Sequence, residues 1–249
     1  GTMPMAGITA YHGSPHLFNK FDMSKIGTGE GAQAYGHGLY MAENPEVAST
    51  YIPPNKKFTN LMDGLRIKAQ KRSEKYGNDG AVEVYEMYSK GYTPQGVAAH
   101  IRRLKEYEEA HPLYLKNMNR ANKKAMALFK ENPQGNLYKV DIPDDQIAKM
   151  LDWDKPLSGQ GEGALKLADK YGVSHNADGG TLLELMSANL RSKALASDEI
   201  KELGIPGIKY LDQGSRGAGK GTHNFVMFDD QIPQILEIND KPLKGMLGE

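Results

Sequence analysis

Between Ile8 and Tyr51 polar and aromatic residues are spaced as a site rather than as a surface. A short apolar alternation, Ile8 and Ala10, ends in Tyr11-His12-Gly13-Ser14, which reads as a strand that stops at a histidine with a flexible backbone position behind it. An imidazole can hydrogen-bond a sugar hydroxyl, and a glycine lets backbone N–H and C=O groups approach a flat ligand with no Cβ in the way. Tyr40 and Tyr51 follow. Their rings can face a cationic aromatic ring, worth roughly 0.5–2 kcal/mol each depending on desolvation. Gln33 and Tyr35, in the glycine-rich stretch before Tyr40, are further candidate contacts.

These side chains need elements to hold them. Gly36-His37-Gly38-Leu39-Tyr40-Met41-Ala42 reads as a second short strand entered through glycines. Asn44-Pro45-Glu46 is a helix start, with Asn44 as N-cap, Pro45 as first helical residue and an acid in the first turn. That helix is expected to carry Tyr51 about two turns on, so that His12, Tyr40 and Tyr51 line one cleft. Pro53 and Pro54 stop it, because neither can donate to the helix ladder. Helical spacing then predicts helices over 61–75, 81–90, from Thr93-Pro94 onward, and 113–129. Strand-like alternation returns at 137–142, 207–211, 224–228 and 234–238, with helices between them. One of those helices is predicted to be capped by Ser197. Strands and helices without regular βαβ alternation favour an α+β fold.

The motifs also carry a resemblance. Tyr-His-Gly-Ser, then Gly-His-Gly-Leu-Tyr-Met-Ala, then Tyr51 resembles the NAD site of ADP-ribosyltransferases of the diphtheria-toxin and poly-ADP-ribose-polymerase type. More narrowly, GEGAQAYGHGLYMAE with GNLYKVDIPDD, LDWDKPLS and GIPGIKYLDQGSR resembles the ADP-ribosyltransferase domain of phage polyvalent proteins and polymorphic toxins. The resemblance covers 8–51 and roughly 135–238. It implies a split β-sheet core in two halves, 8–54 and 135–240; the stretch 55–134 between them, which the resemblance does not cover, reads from its helical spacing and proline-marked ends as a helical insertion. It implies a mono-ADP-ribosyltransferase, with NAD as substrate, acting on a host macromolecule in the cytoplasm of a bacterial cell as a phage or toxin effector. His12, Tyr40 and Asn224 are the catalytic candidates; His12, Gly13, Ser14, Gln33, Tyr40 and Tyr51 are the NAD-binding ones. Asn224 stands where the family usually has a glutamate. An amide can hold a hydroxyl but cannot accept a proton as a general base. Glu30 and Asp212 are candidate replacement acids, and an NAD-binding module without transfer, or an NAD glycohydrolase, are the alternatives.

Bulk properties narrow the field from another side. The chain has 249 residues with 31 basic and 31 acidic side chains, so net charge exerts no global pull toward nucleic acid or membrane. The charge is unevenly placed: residues 55–130 hold 16 of the basic and 8 of the acidic residues. That basic segment could dock a nucleic acid or an acidic host protein, or form a solvated helical face. There is no cysteine, which removes disulfides and thiolate chemistry. No run reaches membrane-spanning length and nothing at the start marks secretion, so no membrane association is expected.

Two glycine-rich stretches invite a nucleotide-loop reading and fail it. Gly27–Ala32 lacks the preceding strand and following helix of a dinucleotide-binding turn. Gly214–Lys220 has phosphate-loop spacing, but Gly221 replaces the magnesium-binding hydroxyl and a strand follows. No His-Glu-x-x-His or Gly-x-Ser-x-Gly occurs.

Overall fold

The structure is a computed structural model that describes residues 7–25, 34–77, 79–106, 111–132 and 135–243. The chain divides into two compact units, one made of 1–12, 18–48 and 137–249, the other of 13–17 and 49–136. The division falls inside the first strand, between His12 and Gly13.

The first unit is a mixed α/β body around one eight-stranded sheet, consistent with an α+β class. In chain order its strands are β1 (Gly7–Ser14), β2 (Leu39–Ala42), β3 (Asn136–Pro143), β4 (Leu151–Asp152), β5 (Gly207–Leu211), β6 (His223–Met227), β7 (Gln234–Ile238) and β8 (Lys241–Pro242). Their order across the sheet is β4-β5-β6-β2-β1-β3-β7-β8. β4 and β5 run parallel, while β5–β6, β6–β2, β2–β1, β3–β7 and β7–β8 are antiparallel. Period-two alternation gives each face its own core. On one face Ile208, Tyr210, Val226 and Phe228 join residues of three helices, among them Leu167, Leu182, Leu183, Met186 and Ile200. On the other, Leu39, Met41, Phe225 and Met227 join Phe21, Tyr138, Val140 and Ile142.

The helices of the two units are, in chain order, α1 (Pro45–Ser49), α2 (Lys56–Tyr76), α3 (Ala81–Ser89), α4 (Pro94–Glu106), α5 (Pro112–Lys130), α6 (Asp144–Lys149), α7 (Glu162–Tyr171), α8 (Gly179–Leu190), α9 (Lys193–Glu202) and α10 (Gln213–Arg216). Two starts follow the expected cap chemistry: the Asn44 side chain accepts from the Glu46 amide at 2.9 Å, and the Thr93 hydroxyl accepts from the Gly96 amide at 3.1 Å. Two starts differ. α2 begins at Lys56, five residues before its apolar periodicity, because Asn55 caps it. α9 is capped by Ser192, whose hydroxyl accepts from the Leu195 amide at 3.2 Å, so Ser197 lies inside the helix rather than at its start.

The second unit is helical, built from α2 to α5 around Phe58, Met62, Tyr88, Val97, Met118 and Phe129. It takes in 13–17 and 49–136, where the sequence places the insertion at 55–134. At its centre Tyr88 is fully buried and its hydroxyl donates to Asn122 Oδ1 at 2.7 Å. Tyr88 ionises far above the ordinary tyrosine range because burial penalises its charged form.

Candidate functional site

β2 is the element that positions the candidates in the first unit. It lies between β1 and β6, with Leu39 through Ala42 paired against Met227 through Asn224. Because Leu39 and Met41 point into one core, Tyr40 between them points to the other face, packed against the helical side. Its hydroxyl donates to the Gly36 carbonyl at 2.8 Å and accepts from the Tyr35 amide at 3.1 Å. The buried Ser197 hydroxyl accepts from the His37 amide at 2.9 Å. Side chains from two sides thus pin the glycine-rich entry to β2. Gly36 has φ +118°, a conformation L side chains rarely adopt, and Gly38 serves a different need. A Cβ at Gly38 would stand 2.4 Å from the Met227 carbonyl oxygen, so only glycine lets β2 lie this close to β6.

β1 meets β2 with Tyr11 opposite Ala42. One residue further along, His12 reaches the same strand by its side chain, with Nδ1 2.8 Å from the Tyr40 carbonyl oxygen. A carbonyl can only accept, so this contact assigns the proton to Nδ1 and leaves Nε2 as an acceptor in the neutral ring. Burial lowers the His12 pKa, and the bond to the Tyr40 carbonyl raises it by less. The imidazole is therefore held neutral. Its ring neighbours are Phe21, edge-on at 5.3 Å, with Tyr138 at 6.1 Å and Phe18 at 6.3 Å.

That environment corrects one expectation. The imidazole and the Tyr40 phenol do not line one face: the ring of His12 lies among aromatics of the Phe21 and Tyr138 core, and the phenol lies on the opposite side of the sheet. Strand alternation is the cause, since His12 follows the residue that faces Ala42 and so points away from the Tyr40 side. The two residues are joined through the Tyr40 backbone, not across a cleft.

Asn224 sits on the Tyr40 face, opposite Ala42 of β2 and Tyr210 of β5. It is 6% exposed, and among the described residues its Oδ1 has no hydrogen-bond partner. An orphaned buried acceptor of this kind costs roughly 1–3 kcal/mol. Beside it runs an arrangement that sequence reasoning did not assemble. The Tyr35 ring lies flat on Tyr210 at 3.8 Å with 10° between planes, and Trp153 meets Tyr35 edge-on at 4.8 Å. Arg216 donates to the Tyr35 hydroxyl at 3.1 Å and pairs with Asp154 at 3.1 Å. Asp154 in turn accepts from the Leu211 amide at 2.7 Å. Trp153 reads from sequence as a packing anchor and Arg216 as a loop cation; no local signal announced that β4 and β5 would bring them together.

The remaining candidates fall elsewhere. Gly13, Ser14 and Tyr51 belong to the helical unit. There the Ser14 hydroxyl accepts from the His16 amide at 3.1 Å, and the Tyr51 hydroxyl accepts from Gln95 at 2.8 Å. Tyr51 is not on the helix expected to carry it, because α1 ends at Ser49 and a turn from Ser49 to Ile52 leads into the two prolines. Gln33 and Glu30 lie outside the described residues. Asp212 is buried and committed: its carboxylate caps α10 through the Ser215 amide at 2.8 Å and also accepts from the Thr222 hydroxyl. The loop of residues 217–220 is exposed and leads into β6, so no helix N-terminus stands where a phosphate loop would need one.

Among the described residues, no group of three or more His, Asp or Glu side chains could hold a metal ion, and no helix is long and apolar enough to cross a membrane. Compared with known proteins, the chain matches no family model, no curated protein and no solved structure.

Proposed function

We propose that the first unit is an ADP-ribosyltransferase-type domain that takes NAD as substrate and transfers ADP-ribose to a host macromolecule. The observation that carries this reading is a buried acceptor on the strand beside β2, Oδ1 of Asn224, which has no hydrogen-bond partner among the described residues. An amide oxygen of this kind is suited to an O–H group of a ribose. His12 lies on the opposite face of the sheet, so the sugar is assigned to the Asn224 side and His12 to support of the Tyr40 backbone. The order of the sequence motifs supports the same assignment.

In this reading the bond from the ribose anomeric carbon to the nicotinamide nitrogen breaks, and neutral nicotinamide leaves with the electron pair. The oxocarbenium-like centre is attacked by an acceptor O–H or N–H, whose proton passes to solvent. Fixing the ribose hydroxyls aligns the anomeric carbon with both groups, and such positioning accounts for much of the acceleration in two-reactant chemistry. Tyr40 shapes the Asn224 side, and His12 holds the Tyr40 backbone in place.

A second reading, an NAD-binding module without transfer, is favoured by one observation. Position 224 carries an amide, and the nearby Asp212 carboxylate is already occupied. Incubating the chain and host lysate with NAD labelled in both the adenylate and the nicotinamide separates the readings. Label on macromolecules that is lost in Asn224→Ala supports transfer. Nicotinamide release alone points to hydrolysis. Calorimetric binding without turnover selects the binding module, and neither binding nor turnover rejects all three.

A further inference from the structure

The helical unit contains a groove that the NAD reading does not use. It has a volume of about 440 Å³ and lies between the C-terminal end of α2 and one face of α5. Its walls include Arg72, Tyr76, Leu113, Asn117, Arg120 and Lys124. At that size it holds a nucleotide-sized group.

Charge and exposure distinguish this groove. α5 carries Lys116, Arg120, Lys123, Lys124 and Lys130 and no acidic residue over its 19 positions. Lys116, Arg120 and Lys124 recur at intervals of four, so they form one row along the helix. All three are exposed, and among the described residues no carboxylate pairs with them. The one buried acid of the groove, Asp79, is already satisfied by Arg72 at 2.6 Å and by the Ala81 amide at 3.0 Å. Among the described residues the row is therefore positive charge without an ion-pair partner.

The rim adds a second kind of contact. Tyr76 is 74% exposed and Leu113 58% exposed, so an aromatic ring and an apolar side chain stand open to solvent beside the cations. Lys75 holds its ammonium 4.9 Å from the centre of the Tyr76 ring, which puts another charge at this edge. Cations in a row with an exposed aromatic platform match a chain that alternates phosphates with flat bases, rather than an acidic peptide, which offers charge but few rings.

We propose that this groove binds single-stranded nucleic acid, with Arg120 and Lys124 on successive phosphates and a base stacked on Tyr76. The proposal does not depend on the NAD reading. Fluorescence anisotropy of the whole chain with a labelled oligothymidylate, across a potassium chloride series, tests it. The expected result is binding that weakens steeply with salt. Arg120→Ala and Lys124→Ala should each reduce the slope of log affinity against log salt by about 0.7, the value for one phosphate contact on a single strand. Tyr76→Ala should weaken binding about tenfold with the slope unchanged, and Tyr76→Phe should restore it. These residues are exposed, and unchanged melting of each variant confirms that its fold is intact. No binding at about 50 mM salt, or full affinity in the double variant Arg120→Glu with Lys124→Glu, overturns the proposal. Competition by polyglutamate as effective as by unlabelled oligothymidylate also overturns it, in favour of an acidic protein.

Discussion

Nδ1 of His12 lies 2.8 Å from the carbonyl oxygen of Tyr40, and that contact joins two strands whose neighbouring side chains face opposite ways. It also fixes how the residue responds to acid. Burial lowers the His12 pKa in the folded chain below the value of about 6.5 expected for the unfolded one. Above that value both states are neutral and the group contributes nothing to pH dependence. As pH falls below about 6.5 the unfolded chain takes up the proton first, so stability declines until the lowered folded value is passed. His12→Asn keeps an N–H donor for the Tyr40 carbonyl without a titratable ring. Denaturant unfolding at several pH values should show wild type losing stability relative to this variant below about pH 6.5. Parallel curves would contradict the assignment.

Asn224 poses a trade between stability and function. Its Oδ1 is buried with no partner, so an apolar residue of similar volume removes a desolvation cost without opening a cavity. Asn224→Leu is expected to leave stability unchanged or raise it by about 1 kcal/mol, read from the urea midpoint, while NAD turnover or binding disappears. A loss of more than about 1 kcal/mol would mean that the amide is satisfied in the native state.

Gly38 tests how closely β2 and β6 pack. An added methyl at 2.4 Å from the Met227 carbonyl oxygen and 2.7 Å from a Val226 methyl has no flexible side chain end to push aside. Gly38→Ala should destabilise the chain by about 3 kcal/mol or more, because the strands must separate. Gly217→Ala is the control: nothing lies within 4 Å of its Cβ position, so its thermal midpoint should barely move.

In the helical unit, Tyr88→Phe deletes one hydroxyl and leaves the Asn122 carbonyl oxygen without its 2.7 Å donor. The expected cost is about 1–3 kcal/mol by denaturant unfolding. The double variant with Asn122→Leu should recover part of it, since removing both partners leaves no orphan.

Local chemistry was the legible part of this sequence. Asn44 and the Thr93-Pro94 pair mark helix starts because a cap is a contact among residues three apart or fewer. The strands at 207–211 and 234–238 were readable for a similar reason, as alternation is a property of one segment. What the sequence hid depends on pairing. Ser197 resembles a cap, yet it spends its hydroxyl on His37, 160 residues away. β4 has two residues, too short for any periodicity, and exists because β5 offers it a parallel edge. The opposed faces of His12 and Tyr40 follow from the register of β1 on β2, which neither strand encodes alone. The same holds for the stack of Tyr35 on Tyr210, assembled from opposite ends of the first unit.

Trp153 is the chain's only tryptophan, and its indole rests edge-on against Tyr35 at 4.8 Å, in the group that includes Arg216 and Tyr210. Intrinsic emission at red-edge excitation therefore comes from a single spot in the first unit, with no second indole to blur it. Any molecule that inserts beside Asn224 and shifts that stack would change the emission directly, and a titration would need neither a label nor an engineered probe.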